Sequence, residues 1–167
     1  MGFYTPATIV EDAQRHDVEV RPVDVQQSEW DCTLEPRARV AGASCGLAVR
    51  MGLRYVKSLS EDRDWRRIET ARAAQPFVSM NDFTRRTGLD DRVIRRLAEA
   101  GAFAGFRGER RAALWEAQGL GRTPATPLRI APREPLPDFE PLTQFQTISW
   151  DYAFSGHSTH GHPLGPL

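Results

Sequence analysis

Residues 52–60 read Gly52-Leu53-Arg54-Tyr55-Val56-Lys57-Ser58-Leu59-Ser60: a short apolar turn, basic residues and a loop of small residues, set directly before a helical pattern. Ser60 followed by Glu61 and Asp62 makes a helix start, and Trp65, Ile68 and Ala71 then recur at helical spacing. Such a loop leaves backbone N–H groups without intrachain acceptors, so they can donate to a phosphate oxygen, and Lys57 adds a point charge. A second stretch repeats the theme. Val93, Ile94, Leu97 and Ala98 form a stripe that ends in Ala100-Gly101-Ala102-Phe103, and a further helix runs from about Glu109 to Gln118 with Gly119 as its stop. There Phe103 and Phe106 can pin the turn while Arg107, Arg110 and Arg111 face solvent. Contacts from Lys57, Ser58, Leu59 and Ser60 in one hairpin, and from Gly101, Ala102 and Arg107 in the other, would grip a backbone without reading bases. Arg54, Arg110 and Arg111 would add electrostatic support. The same pattern fits two ordinary helical hairpins closed by glycine, and pattern alone leaves both readings open.

Working outward, Thr5-Pro6 predicts a capped first helix with Ile9, Val10 and Ala13 on one face, ending near His16. The alternating run from Val18 to Val25 predicts an extended segment, with Pro22 confining it to a sheet edge. Trp30 to Leu34 suggests a second strand, and Val40 to Leu53 a loop leading into a third. Ser79 starts a short helix that ends at Gly88, and Asp90 caps the next. Six prolines between Pro124 and Pro141 predict an extended linker. Leu142, Phe145, Ile148 and Tyr152 fit one more helix, followed by an irregular tail from Ala153 to Leu167. The fold class is therefore mainly α with a small β or extended N-terminal part. Its expected divisions are 1–49 with short strands, 50–119 with the tandem hairpins, 120–141 as linker, and 142–167 as helix and tail.

Net charge is zero, yet the charge is not evenly spread. Residues 50–111 hold fourteen arginines and Lys57 against nine acids, while both flanks are acidic. A basic centre in a neutral chain points to phosphate, although a solvated arginine-rich surface would look the same. No apolar run approaches the ~18 residues of a membrane span. Met1-Gly2-Phe3-Tyr4-Thr5-Pro6 is not a signal peptide, and Pro6 does not suit myristoylation, so the cytoplasm is the expected compartment. Cys32 and Cys45 lack a second pair for zinc and read as reduced thiols.

The remaining chemistry is sparse. His157, His160 and His162 with Asp151 could ligate a metal, but their glycine-rich setting favours solvated loop histidines. Asp62-Arg63-Asp64 has the spacing of a two-metal carboxylate pair, yet it falls in a helical first turn where such side chains diverge. No phosphate-binding glycine loop or nucleophile elbow is present. No active site is expected.

Several phrases in order resemble the bacterial C-family DNA polymerases, the family of the replicative polymerase III alpha subunit. They are Met1-Gly2-Phe3-Tyr4-Thr5-Pro6-Ala7-Thr8-Ile9-Val10, Val18-Glu19-Val20-Arg21-Pro22-Val23-Asp24-Val25, Met51-Gly52-Leu53-Arg54-Tyr55-Val56-Lys57 and Leu97-Ala98-Glu99-Ala100-Gly101-Ala102-Phe103. Arg110-Arg111-Ala112-Ala113-Leu114-Trp115 and His162-Pro163-Leu164 continue the series. Asp31-Cys32-Thr33-Leu34-Glu35 and Tyr55-Val56-Lys57 are closest to the error-prone branch. The resemblance implies the end of a fingers region over 1–49, tandem helix-hairpin-helix over 50–119, and a tail leading toward an OB-fold domain. It implies a parent nucleotidyltransferase in damage-induced, translesion synthesis, whose catalytic aspartates and Mg²⁺ site lie in a palm upstream of Met1. This chain is then a fragment without cofactor, inactive alone, with DNA as partner and with contacts to other polymerase domains and repair proteins. One departure stands out: the family usually has glycine where this chain has Ser58, which puts the first hairpin's grip in doubt if φ is positive there. Two other readings stay open, a scaffold module whose arginine face meets an acidic protein, and a truncated gene product without independent function.

Overall fold

The computed structural model describes residues 4–37, 46–106, 108–122, 137 and 139–165. The chain is mainly α, with six α-helices and one small sheet among these residues. Helix α1 (Pro6–Arg15) starts as its sequence predicts: Thr5 Oγ1 accepts from the Thr8 N–H at 3.3 Å, and Pro6 occupies the first turn. Strands β1 (Glu19–Arg21), β2 (Thr33–Pro36) and β3 (Leu47–Arg50) form a sheet in the order β1-β3-β2, parallel on one side of β3 and antiparallel on the other. Pro22 follows an edge strand, where its missing N–H costs no ladder bond. One face carries an ion-pair ladder: Arg21 bridges Glu19 and Glu35, and Arg50 meets Glu35 at 2.9 Å. Arg50 first, and Arg21 with it, holds the Glu35 carboxyl below its ordinary range against the opposing pull of burial.

The first hairpin follows β3. A 3-10 turn (Leu53–Tyr55) leads through residues 56–60 into a π-helical turn (Glu61–Trp65) and then α2 (Arg66–Ala74). Gly52 is required by close approach, since a Cβ there would collide with the backbone of Trp30 and Asp31. The start of the helix differs from a Ser60-capped α-turn. Ser60 makes no side-chain cap; instead its N–H donates to Asp64 Oδ2 at 2.9 Å. Its carbonyl accepts from both Asp64 and Trp65 N–H groups, at 2.9 and 3.0 Å, which widens the turn to π geometry.

Helix α3 (Met80–Thr87) is capped by Ser79 and ends at left-handed Gly88. Helix α4 (Asp91–Glu99) is capped by Asp90 and buries the predicted stripe of Val93, Ile94, Leu97 and Ala98. Helix α5 (Arg110–Arg122) runs past Gly119, so glycine does not stop it. A lone glycine weakens a helix by only ~1 kcal/mol and is overridden where neighbouring turns pack. Here Ala113 and Ala117 are buried against the core. Helix α6 (Gln144–Ser155) opens with a full capping box between Thr143 and Gln146 and closes at left-handed Gly156. Phe77, Phe83, Phe103 and Phe106 contact in series through the core, with edge-on pairs at 4.9 and 5.2 Å and a stacked pair at 6.2 Å. Most of the proline-rich stretch, and part of the loop ahead of β3, lie outside the described residues. No described helix is long and apolar enough to cross a membrane.

The tail does not follow its expectation of solvated histidines. His157 is 3 % exposed and meets the Tyr55 ring edge-on at 5.5 Å. Burial pushes its imidazole pKa down. Gln14 Nε2 donates to the Thr159 carbonyl at 2.9 Å, which ties the tail to α1. Tyr152 donates its hydroxyl to Glu11 at 2.7 Å, and burial with that acceptor pushes its pKa up to about 12. Among the described residues no group of three histidines, cysteines or acids is placed to hold a metal.

Candidate nucleic-acid interface

In the first hairpin, Leu53 and Val56 are buried and Leu59 packs partly against the core, which fixes the loop between them. Ser58 sits at the tip with φ of 69°, a left-handed conformation costing a non-glycine residue roughly 1–2 kcal/mol. It is exposed, and neither its N–H nor its hydroxyl has a hydrogen-bond partner among the described residues.

Lys57 turns the other way. Its Nζ donates to the carbonyls of Ala153 at 2.6 Å and Tyr152 at 3.2 Å, and its backbone N–H donates to Phe154 at 3.1 Å. These carbonyls end α6, where unsatisfied acceptors and the helix dipole favour a cation. Arg54 pairs with Asp31, which lifts its already high pKa, while its side chain stays half exposed. Ser60 spends its N–H on Asp64, as above. Burial alone would raise the Asp64 carboxyl, but Arg63 and the Ser60 N–H outweigh it and hold the pKa below the ordinary value.

The second hairpin is closed. Gly101 has φ of 79°, and a Cβ on it would lie 2.7 Å from Arg110 Nη2. Ala102 is fully buried, and its carbonyl accepts from the Val25 N–H at 2.9 Å. Arg110 is only 10 % exposed and reaches Asp151 Oδ1 on α6 at 2.6 Å. Ser158 Oγ and His160 Nδ1 both lie 2.8 Å from the other carboxylate oxygen. Burial would raise the Asp151 pKa, yet His160, Arg110 and Ser158 together hold it below the carboxylate range. Arg111 donates to the Glu140 carbonyl at 3.1 Å. Arg107 lies outside the described residues.

Cations that the sequence did not single out gather beside Ser58. A cleft of about 260 Å³ between the first hairpin and the start of α4 is lined by Ser58, Arg63, Asp90, Arg92, Val93 and Arg96. Arg92 and Arg95 are exposed, and their side chains have no hydrogen bond or ion pair among the described residues. Arg63 grips Asp64 through Nε and Nη2. Arg96 pairs with Glu99 through Nη1 at 2.9 Å, and its Nε is buried without an acceptor. The outward placement of Arg92 and Arg95 was legible, because both flank the apolar stripe of α4. The proximity of Arg92 to Ser58 is a tertiary fact that spacing does not carry.

The family model described as helix-hairpin-helix motif matches residues 17–113. Among curated relatives, the error-prone DNA polymerase of Pseudomonas savastanoi pv. phaseolicola is 43% identical over 169 residues, covering 100% of this chain and 16% of that protein. That of Methylococcus capsulatus is 40% identical over 184 residues, with 100% and 17% covered. Error-prone DNA polymerase 2 of Rhizobium meliloti is 40% identical over 175 residues, with 98% and 16% covered. The chain thus spans about one sixth of the relatives that it matches. It belongs to the helix-hairpin-helix motif family, and along its whole length it resembles one section of the error-prone DNA polymerases.

Proposed function

We propose that this chain binds the backbone of duplex or primer-template DNA without reading sequence, as the helix-hairpin-helix section of an error-prone polymerase. The observation that supports the reading best is the exposed tip of the first hairpin. Ser58 offers an unpaired N–H and hydroxyl there, across a cleft from Arg92, whose side chain has no internal partner among the described residues. Lys57, Arg110 and Arg111 serve internal contacts in this reading, and Arg54 is shared between Asp31 and solvent. The chemistry of nucleotide transfer, with its Mg²⁺, would belong to other parts of the polymerase. Translesion synthesis and repair in the cytoplasm would be the setting of that larger protein.

The test is binding of labelled duplexes of unrelated sequence across a salt series. Equal affinities that fall steeply with salt are expected, because phosphate contacts release condensed counterions. Affinity flat in salt would exclude the reading. Incubation with primed template, nucleotides and Mg²⁺ should give no extension by this chain alone. A protein-contact reading has one observation in its favour: Leu34 and Leu47, 67 % and 42 % exposed, lie on one apolar sheet face. Charge reversal at Arg92 would leave such a contact intact while abolishing DNA binding.

A further inference from the structure

We infer that the end of α6 sets the tip of the first hairpin in the shape that meets DNA, with Lys57 as the positioning residue that joins the two. This rests on the DNA-binding reading and adds what keeps the loop in form. Ser58 holds a left-handed φ of 69°, which strains a residue with a Cβ and persists only where the surroundings fix it. On one side the loop is fixed locally: Leu59 packs against the core, and Asp64 takes the Ser60 N–H. On the other side it is fixed from a distance. Among the described residues, every hydrogen bond from residues 57–59 to a distant element is made by Lys57, and all of them end on Tyr152, Ala153 and Phe154.

The end of α6 needs these donors as much as the hairpin needs an anchor. An α-helix leaves its last four carbonyls without intrahelical partners, and the dipole at that end favours a cation. Helix α6 has no basic residue in its own last turn. Lys57 supplies the charge instead: its Nζ takes the carbonyls of Tyr152 and Ala153, and its N–H takes that of Phe154. His157 Nδ1 lies 3.1 Å from the fourth carbonyl, of Ser155, and its ring meets Tyr55 of the same hairpin. Arg96 lies over the Phe154 ring at 5.9 Å, which joins α4 to the same helix end. The two Nζ contacts bridge 95 and 96 positions of chain. The coupling is therefore tertiary, and whatever loosens the helix end loosens the tip.

A positioning residue changes how often the loop is competent, not how many phosphates it meets. Affinity then falls by the competent fraction at every salt concentration, while the slope of log K against log salt stays as it was. In duplex binding across a salt series, Lys57→Met is expected to lose about tenfold in affinity with its slope unchanged, and Lys57→Arg to recover most of that loss. Gly156→Ala acts from the other end. A Cβ there meets no neighbouring atom, so the change falls on the left-handed close of α6 alone. It should weaken binding without removing a charge, and the double variant should lose little more than the larger single loss. A slope loss of about 0.9 in Lys57→Met would make Lys57 a phosphate ligand and overturn the positioning role. Wild-type affinity in Lys57→Met, no recovery in Lys57→Arg, or fully multiplied losses in the double variant would overturn it too, with the DNA-binding reading left standing. Absence of salt-dependent binding by the wild-type chain would instead remove that underlying reading. Thermal unfolding checks each variant. Should Gly156→Ala not fold, slope and rescue at the exposed Lys57 decide.

Discussion

The two hairpins of this chain look alike in sequence and are opposite in structure. The first ends in a serine forced into a left-handed turn, exposed and unpaired, with arginines of α4 beside it. The second has the glycine that such a turn prefers, yet Arg110 covers it and the Val25 N–H takes the carbonyl of Ala102. A glycine at a hairpin tip marks a close approach without saying by what. At Gly101 the approaching group is a guanidinium of the same chain. At Ser58 no group of the described chain takes a hydrogen bond, and the strained residue is exposed.

The comparison can be broken most forcefully at the buried pair. Asp151→Ala leaves Arg110 uncompensated in a site where both partners are about nine-tenths buried, and should cost about 3–5 kcal/mol in urea unfolding. If the loss is under about 1 kcal/mol, the second hairpin is not held shut by this pair. Gly101→Ala comes next. The positive φ costs roughly 1–2 kcal/mol, and the pinned guanidinium must also move, so a destabilisation of about 2 kcal/mol is expected. A neutral result would show that Arg110 yields freely.

The tail gives a smaller, pH-dependent effect. His157 titrates below its ordinary 6.5 in the folded state, so only the unfolded chain gains protons first as pH falls. Its contribution is complete above pH 6.5 and is lost as pH drops through that value toward the folded pKa. Unfolding midpoints should therefore fall between neutral and mildly acidic pH, and His157→Phe should flatten that limb. An unchanged limb in the variant would assign it to other groups. Ser58→Gly is the gentlest test. Relief of the left-handed turn should stabilise by up to about 1 kcal/mol, less the extra freedom of the unfolded glycine, with DNA affinity kept. A large loss of affinity would mean that the hydroxyl, and not the backbone, makes the contact.

Local rules were legible wherever the chain itself supplies the partner. Thr5, Ser79 and Asp90 cap the helices that their spacing announces, Gly88 closes α3, and Pro22 follows an edge strand. Legibility ended where a distant residue decides. Asp64 replaces Ser60 as the capping group because its carboxylate folds back within a π-turn. Arg110 reads as a surface cation until Asp151, forty-one positions on, removes it from solvent. Lys57 reads as a phosphate ligand until the end of α6 claims its ammonium. His157 reads as a loop histidine until Tyr55 and the core cover it. The arginines beside Ser58 were visible on the outer side of α4, but no local pattern joins two elements more than thirty residues apart.

The central claim is that DNA is held at the first hairpin and not at the second. Duplex affinity across a salt series for Arg92→Glu and Arg111→Glu, each checked for folding, tests it most directly. The account predicts that Arg92→Glu loses most of its affinity and a measurable part of its salt slope, while Arg111→Glu stays near wild type. The reverse order, with Arg92→Glu unaffected and Arg111→Glu crippled, would contradict it.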